Sequence, residues 1–205
     1  MKLSIVLSPQ LTQFPAATLS GDLEPNLAKI ATLGYQGVEL AIRDPRQVDY
    51  DTLTGMARRH NLEVPAIGTG QAWGEEKLSF TDPNPNVRQA AIDRIKSHID
   101  GASRLNAVII IGLIHGGVAT GVQPSQAMDW LIAALSECCQ AASLRGVRLA
   151  LEPINRYETT LINNIQQGLD LIEPVSYTHL RAHETVLDLV CRLLLEKKKA
   201  KQNTQ

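Results

Sequence analysis

Glu152 is the residue of this sequence whose position most clearly indicates chemistry. It lies in residues 149–164, LALEPINRYETTLINN, directly after an apolar run that predicts a strand. A carboxylate in such a place costs several kcal/mol unless a cation or hydrogen bonds compensate it. Two interpretations follow. Glu152 forms an ion pair with Arg156 in the next loop, or it belongs to an active site at the carboxyl end of a barrel strand, where such sites lie.

Other polar or small residues lie within or just after other predicted strands. Glu39 either orients groups of the site or pairs with Arg43. His115 falls on the same predicted face, although a lone histidine is more often structural. A further loop admits a ligand close to its backbone or simply turns tightly; it consists of Gly68, Thr69 and Gly70.

The elements that must position these residues are read from the hydrophobic pattern, in which short apolar runs alternate with amphipathic stretches, as in β–α units on a parallel sheet. Strands are predicted at residues 3–7, 38–42, 64–69, 107–114 and 147–153. Helices are predicted at residues 23–33, 50–60, 86–105, 126–144 and 164–173. Strands rich in Ile, Val and Leu indicate burial on both faces. No G-x-G-x-x-G motif follows the first strand, as it would in a dinucleotide-binding sheet. The predicted fold is therefore an α/β fold of the (β/α)8 barrel type.

Composition narrows the class of protein. The chain is 44% hydrophobic and 20% charged, which is typical of a soluble globular domain. With a net charge of −1 and no basic stripe, nucleic acid is not an expected partner. The first apolar run is too short for a signal peptide or a membrane span, so we expect no membrane association and a cytoplasmic location. Three cysteines, an odd count, indicate reduced thiols.

The β–α pattern stops after Glu173. Residues 175–184 and 189–196 back-translate in one frame as two constant parts of a transposase-based DNA-sequencing adapter. We therefore expect residues 1–173 to be the N-terminal portion of a barrel, truncated after about five β–α units, and residues 174–205 to be a non-native, adapter-derived tail. His179, His183 and Glu184 in this tail have the spacing of a zinc site, but the adapter explains them without a metal. We call the product of the uninterrupted gene the full-length protein.

The sequence L-E-P-x-N-R-Y-E-T followed by I-N-N resembles the xylose-isomerase-like sugar epimerases and isomerases. The segments GDLEPNLAKIATLGYQGVELAIRDP, VPAIGTGQA and AVIIIGLIHG are similar, in order and spacing, to the subgroup that acts on keto-sugar acids, in particular the 5-keto-L-gluconate epimerases. The resemblance covers residues 1–173. It implies a TIM barrel whose last three β–α units lie outside this stretch.

The resemblance also implies a function and roles for residues. A divalent metal, Mn²⁺ or Mg²⁺, would be held by Glu152 and by ligands of the sixth to eighth strands, and would polarise the ketone of a keto-sugar or keto-sugar acid. Glu152 and a glutamate of the eighth strand would move a proton through a cis-enediolate. The implied substrate contacts are Glu158, Arg156, His115, Gly68, Thr69 and the pocket wall Trp73. The full-length protein could be a homo-oligomer, and the 205-residue chain is expected to be inactive.

A DNA-repair endonuclease and a non-catalytic sugar-binding protein are the two alternative functions. An endonuclease IV-like DNA-repair barrel needs many histidine ligands for three zinc ions, whereas only His60, His98 and His115 precede the tail, and two of them lie in predicted helices. A non-catalytic sugar-binding barrel would bind a keto-sugar without exchanging its protons. Metal titration combined with a proton-exchange assay separates this last function from an enzyme.

Overall fold

Six parallel strands form one sheet in the order β2-β1-β3-β4-β5-β6 in the computed structural model, which describes residues 2–175. The strands are β1 (Ser4–Ser8), β2 (Leu19–Ser20), β3 (Gly37–Ala41), β4 (Ala66–Gly68), β5 (Val108–Ile111) and β6 (Leu149–Leu151). The helices are α1 (Leu23–Thr32), α2 (Tyr50–Arg59), α3 (Gly70–Glu76), α4 (Pro85–Leu105), α5 (Pro124–Ser143) and α6 (Ile165–Val175). Two 3-10 turns lie at Pro45–Gln47 and Leu113–His115.

All five predicted β–α units are present, within a few residues of their predicted bounds. The strand predicted at residues 107–114 is too long, because its apolar run continues into the 3-10 turn Leu113–His115 after the strand pairing has ended at Ile111. Sequence reasoning missed β2, which has only two residues, and α3, which contains two glycines. Neither leaves a periodic pattern long enough to recognise.

Successive side chains along the strands point alternately to the hydrophobic core and to a cavity. Leu40 of β3 and Ile109 of β5 are fully buried in the main hydrophobic cluster, which includes residues of the helices. Residues one position away, such as Glu39 and Ile110, line a cavity instead. Because successive side chains of a strand point to opposite faces, one face of the sheet packs on helices and the other carries the cavity.

Helix starts follow local capping chemistry. The Asp49 carboxylate accepts hydrogen bonds from the Asp51 and Thr52 amides at 3.1 Å, and the Asn84 side chain accepts one from the Asn86 amide at 2.9 Å. Both interactions satisfy amides that a helix start leaves free. Asp22 is the N-cap of α1, as predicted, but its side chain makes no capping bond. The long helices α4 and α5 pack against each other.

Among the described residues, β6 is the last strand on one side of the sheet, and β2 pairs with part of β1 on the other. Within residues 2–175, no helix is long and apolar enough to cross a membrane. Cys138 and Cys139 are free and buried. Most of the tail, with His179, His183, Glu184 and Cys191, lies outside the described residues. The adapter origin of residues 174–205 stays a prediction.

His98 of α4 is fully buried, and neither of its ring nitrogens has a hydrogen-bond partner among residues 2–175. Burial, reinforced by nearby Arg94, lowers its pKa to about 3, while Asp44 opposes the shift. As pH falls below about 6.5, His98 of the unfolded chain binds a proton, whereas His98 of the folded chain stays neutral. The folding stability therefore falls with pH. We expect His98 to cost about 2 kcal/mol of folding stability between pH 7 and pH 5.

The contribution of His98 to this loss of stability is measured by urea denaturation of the full-length protein and of its His98→Leu variant at both pH values. The variant should lose less stability on acidification than the unmodified protein. Buried His115, whose pKa burial lowers to about 4, is present in both proteins and cancels in the comparison. Equal losses in the two proteins would contradict the assignment to His98.

Candidate active site

A cavity of about 450 Å³ lies on the face of the sheet opposite the main hydrophobic cluster, at the carboxyl ends of the strands. We call it the carboxylate cavity, because its charged lining residues are Glu39, Glu152 and Glu158. The remainder of its lining comes from Val6, Phe14, Pro15, Ala16, Ala41, Gly68, Thr69, Gly70, Ile110, Gly112, Leu113 and Ile154. Residues from five strands or the loops after them therefore meet in one place, although they are far apart in sequence.

Glu152 lies one residue beyond β6, and its amide donates to the Ile111 carbonyl at 3.0 Å, which extends the pairing of β6 with β5. Its carboxylate lies against Gly112: a Cβ atom at that position would be 2.5 Å from Oε2. A glycine is therefore needed for the observed position of the carboxylate. The Glu152 side chain is exposed in the described part of the chain, yet the surrounding protein atoms raise its pKa, and the charge of Glu158 adds to the shift.

Glu39 points into the cavity from the middle of β3 and is half-buried. Its Oε1 lies beside Gly68, where a Cβ atom would be 3.3 Å away. Burial raises the pKa of Glu39, and the charge of Glu152 raises it further. Two carboxylates that both resist ionisation in one cavity are a feature of functional sites.

The two proposed ion pairs are not formed among the described residues. Arg156 places its guanidinium 5.4 Å from the centre of the Tyr157 ring, on an exposed part of the loop. Arg43 pairs with Glu75 at 2.6 Å. Glu152 and Glu39 therefore have neither of these arginines as a charge partner, which favours the active-site interpretation of both. Arg156 lines neither the carboxylate cavity nor the second cavity described below.

Residues 153–164 form a loop that is held by its own polar side chains. The Asn163 amide group donates to the carbonyls of Ile154 and Thr159, both at 2.9 Å. The Thr159 hydroxyl donates to the Gly116 carbonyl at 2.5 Å, which ties this loop to the one after β5. Glu158 hydrogen-bonds Asn155 and faces the cavity. Asn163 and Thr159 thus stabilise the loop, whereas Glu158 is the residue of the loop whose carboxylate lines the cavity.

We expect Asn163→Ala to destabilise the full-length protein by about 1–3 kcal/mol, because two carbonyls lose their donor. Gln166→Ala is the matched control, since Gln166 makes only an exposed hydrogen bond to Asp170. Thermal or urea unfolding measures both variants. Equal stability of the two variants would show that the Asn163 contacts do not hold the loop.

A second cavity, of about 340 Å³, adjoins the carboxylate cavity and shares Leu113 and Glu158 with it. We call it the outer cavity. Trp73, predicted as a pocket wall, lines the outer cavity and is absent from the lining of the carboxylate cavity.

The side chains of Thr69 and His115 both contact backbone carbonyl groups of the fold. The Thr69 hydroxyl donates to the Ile110 carbonyl at 2.7 Å, and this buried residue still lines the carboxylate cavity beside Gly68. His115 is fully buried, with Nδ1 2.8 Å from the Gly116 carbonyl, and it lines neither cavity. The structure therefore does not bring the His115 side chain to the candidate site.

Phe14 and Gly112 line the carboxylate cavity but were not predicted. The Phe14 ring fits against α3, where a Cβ atom at Gly70 or Gly74 would lie 2.9 or 2.7 Å from it. The Thr12 hydroxyl also hydrogen-bonds Glu75 of the same helix. The spacing of the two glycines was the available signal, but nothing in the sequence connected it to a phenylalanine so far away.

The donors present fit a hard divalent cation only in part. Carboxylate oxygens suit Mn²⁺ and Mg²⁺, and a cation would offset the repulsion between Glu39 and Glu152. Residues 2–175, however, contain no group of three or more His, Cys, Asp or Glu side chains that could hold a metal ion. Glu152 is therefore suited to be one ligand of a set that the described residues do not complete.

Comparison with known proteins gives consistent matches. A family model described as a xylose isomerase-like TIM barrel matches residues 27–183. A ketose 3-epimerase from Arthrobacter globiformis is 26% identical over 161 residues, which are 77% of this chain and 54% of the relative. A fructoselysine 3-epimerase from Shigella flexneri is 29% identical over 143 residues, 67% of this chain and 51% of the relative.

Among solved structures, D-psicose 3-epimerase from Clostridium cellulolyticum H10 with D-tagatose superposes with a TM-score of 0.69 at 19% identity, covering 88% of this chain and 62% of that one. At this identity the likeness concerns the fold. The chain spans about half the length of the curated relatives it matches. The family match also extends past Glu173, so the boundary at residue 173 stays a prediction.

Proposed function

The chain belongs to the xylose isomerase-like TIM barrel family, and we propose that the full-length protein is a divalent-metal-dependent epimerase or isomerase of keto-sugars or keto-sugar acids. The observation that carries the proposal is the position of Glu152, a carboxylate with a raised pKa at the carboxyl end of a strand, inside a cavity lined by two more glutamates. The relatives named as ketose and fructoselysine 3-epimerases support a keto-sugar substrate. The finer choice of 5-keto-L-gluconate rests on the sequence resemblance.

In the proposed reaction, Glu152 removes the proton from the carbon next to the ketone, and a carboxylate of the eighth strand returns one to the opposite face. The substrate passes through a cis-enediolate. A carboxylate with a raised pKa suits a general base. Glu158 would hold substrate hydroxyls, and Glu39 would orient the neighbouring groups. A divalent metal, with Glu152 as one ligand, supplies polarisation of the ketone when bound.

The 205-residue chain is proposed to be inactive, because it carries only one of the two carboxylates that the resemblance implies. The β6 edge, which pairs with no further strand among residues 2–175, would also invite association with other chains. Cytoplasmic location and assembly of the full-length protein into a homo-oligomer stay predictions.

The test uses full-length protein stripped of metal with a chelator. It is incubated with and without Mn²⁺ or Mg²⁺ on neutral ketoses, keto-sugar acids and sugar phosphates, and the epimers are separated by chromatography. We expect metal-dependent conversion of neutral ketoses or keto-sugar acids. Binding without conversion would support a sugar-binding barrel, and cleavage of DNA at abasic sites would support a repair endonuclease. Conversion confined to sugar phosphates would move the substrate class.

A further inference from the structure

The outer cavity provides more room than a small substrate of the carboxylate cavity would use. The two volumes, about 450 and 340 Å³, each lie within the range of small-molecule sites, and the two cavities share the lining residues Leu113 and Glu158. A keto-sugar whose reacting carbon lies beside Glu152 can therefore extend past Glu158 into a second compartment. The surplus volume indicates a substrate with a further group attached.

The lining of the outer cavity indicates the chemistry of that group. Trp73 is half-buried and provides a flat apolar surface with a polar edge. Hydroxyl-bearing Ser79 and Thr160 lie in the same wall, and the carboxylates of Asp82 and Glu158 can accept hydrogen bonds from ligand hydroxyls. An apolar ring surface surrounded by hydroxyl and carboxylate groups suits a polyhydroxylated ligand.

The charges of the outer cavity disfavour an anionic group. Its charged lining consists of one cation, Lys77, and two carboxylates, Asp82 and Glu158. The Lys77 ammonium lies 5.0 Å from the centre of the Trp73 ring and donates to the Gly74 carbonyl at 2.8 Å. A phosphate or carboxylate in this compartment would face two like charges for each opposite charge.

We propose that the outer cavity is a subsite for an uncharged, polyhydroxylated substituent of the keto-sugar, such as a second sugar unit joined by a glycosidic bond. The proposal rests on the proposed epimerase function and adds the substrate class to it. Glu158, which lines both cavities, would contact the sugar at the junction of its two parts.

The test compares kcat/KM of the full-length protein for a free ketose and for the same ketose glycosylated at the hydroxyl farthest from its ketone. Ala119→Trp fills the outer cavity and should lower kcat/KM for the glycosylated substrate, relative to the free ketose, by at least about 10-fold. Thr120→Trp is the matched control, because Thr120 is exposed in the same loop and lines neither cavity. Its substrate ratio should equal that of the unmodified protein.

Trp73→Ala provides a second variant that removes the aromatic surface without filling the cavity, and it should lower the same ratio. A preference of the unmodified protein for the free ketose, with equal effects of Ala119→Trp on both substrates, would overturn the subsite. No conversion of either substrate would instead contradict the epimerase function, so the two failures are distinguishable.

Discussion

Glu152→Gln is expected to reduce epimerisation by the full-length protein by about 10³-fold, within the range that general acid–base groups contribute. The amide cannot remove a proton from the carbon beside the ketone, and it is a poorer ligand for a hard cation. Divalent-metal affinity should therefore fall in the same variant. Steady-state kinetics and metal titration by calorimetry measure the two effects.

The fold should not suffer from this change. The surrounding protein atoms raise the pKa of Glu152, so the folded state disfavours its ionised form, and that penalty is present at pH values above the folded pKa. Replacing the charge by a neutral amide removes the penalty, and metal-free Glu152→Gln should be at least as stable at pH 7 as the unmodified protein. Glu137→Gln is the control, since Glu137 pairs with Lys96 outside both cavities. Unchanged turnover of Glu152→Gln would exclude the proposed role.

Gly112→Ala has the second largest expected effect, about 100-fold on kcat/KM, because a displacement of about 1 Å in a catalytic group can cost that much. The added Cβ would lie 2.5 Å from Oε2 of Glu152, so the carboxylate must move away from its position against the strand. We expect the loss mainly in kcat, with the protein still folded by circular dichroism.

Gly168→Ala is the matched control for this substitution. Gly168 lies in α6, within the same β–α unit, and a Cβ atom there would meet its nearest neighbour at 3.7 Å, an ordinary contact. Its activity should equal that of the unmodified protein. Full activity of Gly112→Ala would mean that the Glu152 carboxylate does not need the position seen in the structure.

The β–α units could be predicted because strand and helix periodicities differ and because each unit is local. For example, the continuous apolar run that contains Ile109, Ile110 and Ile111 predicted a buried strand, and these residues form β5 in the structure. The end of that strand could not be predicted, since Leu113 and Ile114 are equally apolar and only the hydrogen bonds to neighbouring strands distinguish them. The pairing of β2 with β1 depends on tertiary contacts and has almost no local signal.

The candidate site was predictable where a polar residue follows an apolar strand. Glu152 fulfils this condition, Glu39 is a polar residue within the apolar strand β3, and the structure brings both to one cavity. Phe14 and Gly112 could not be found in this way, because their roles depend on which atoms approach them from distant segments. His115 satisfies the same rule as Glu152, and yet it is fully buried and lines neither cavity.

Solvent-deuterium exchange tests the central claim most directly. The full-length protein is incubated in deuterated water with Mn²⁺ and a neutral ketose or keto-sugar acid, and recovered substrate and product are examined by NMR. We predict metal-dependent deuterium incorporation at the carbon next to the ketone, together with formation of the epimer, and loss of both in Glu152→Gln. Epimer formation with the original hydrogen retained at that carbon, or exchange that persists without Glu152, would contradict the account.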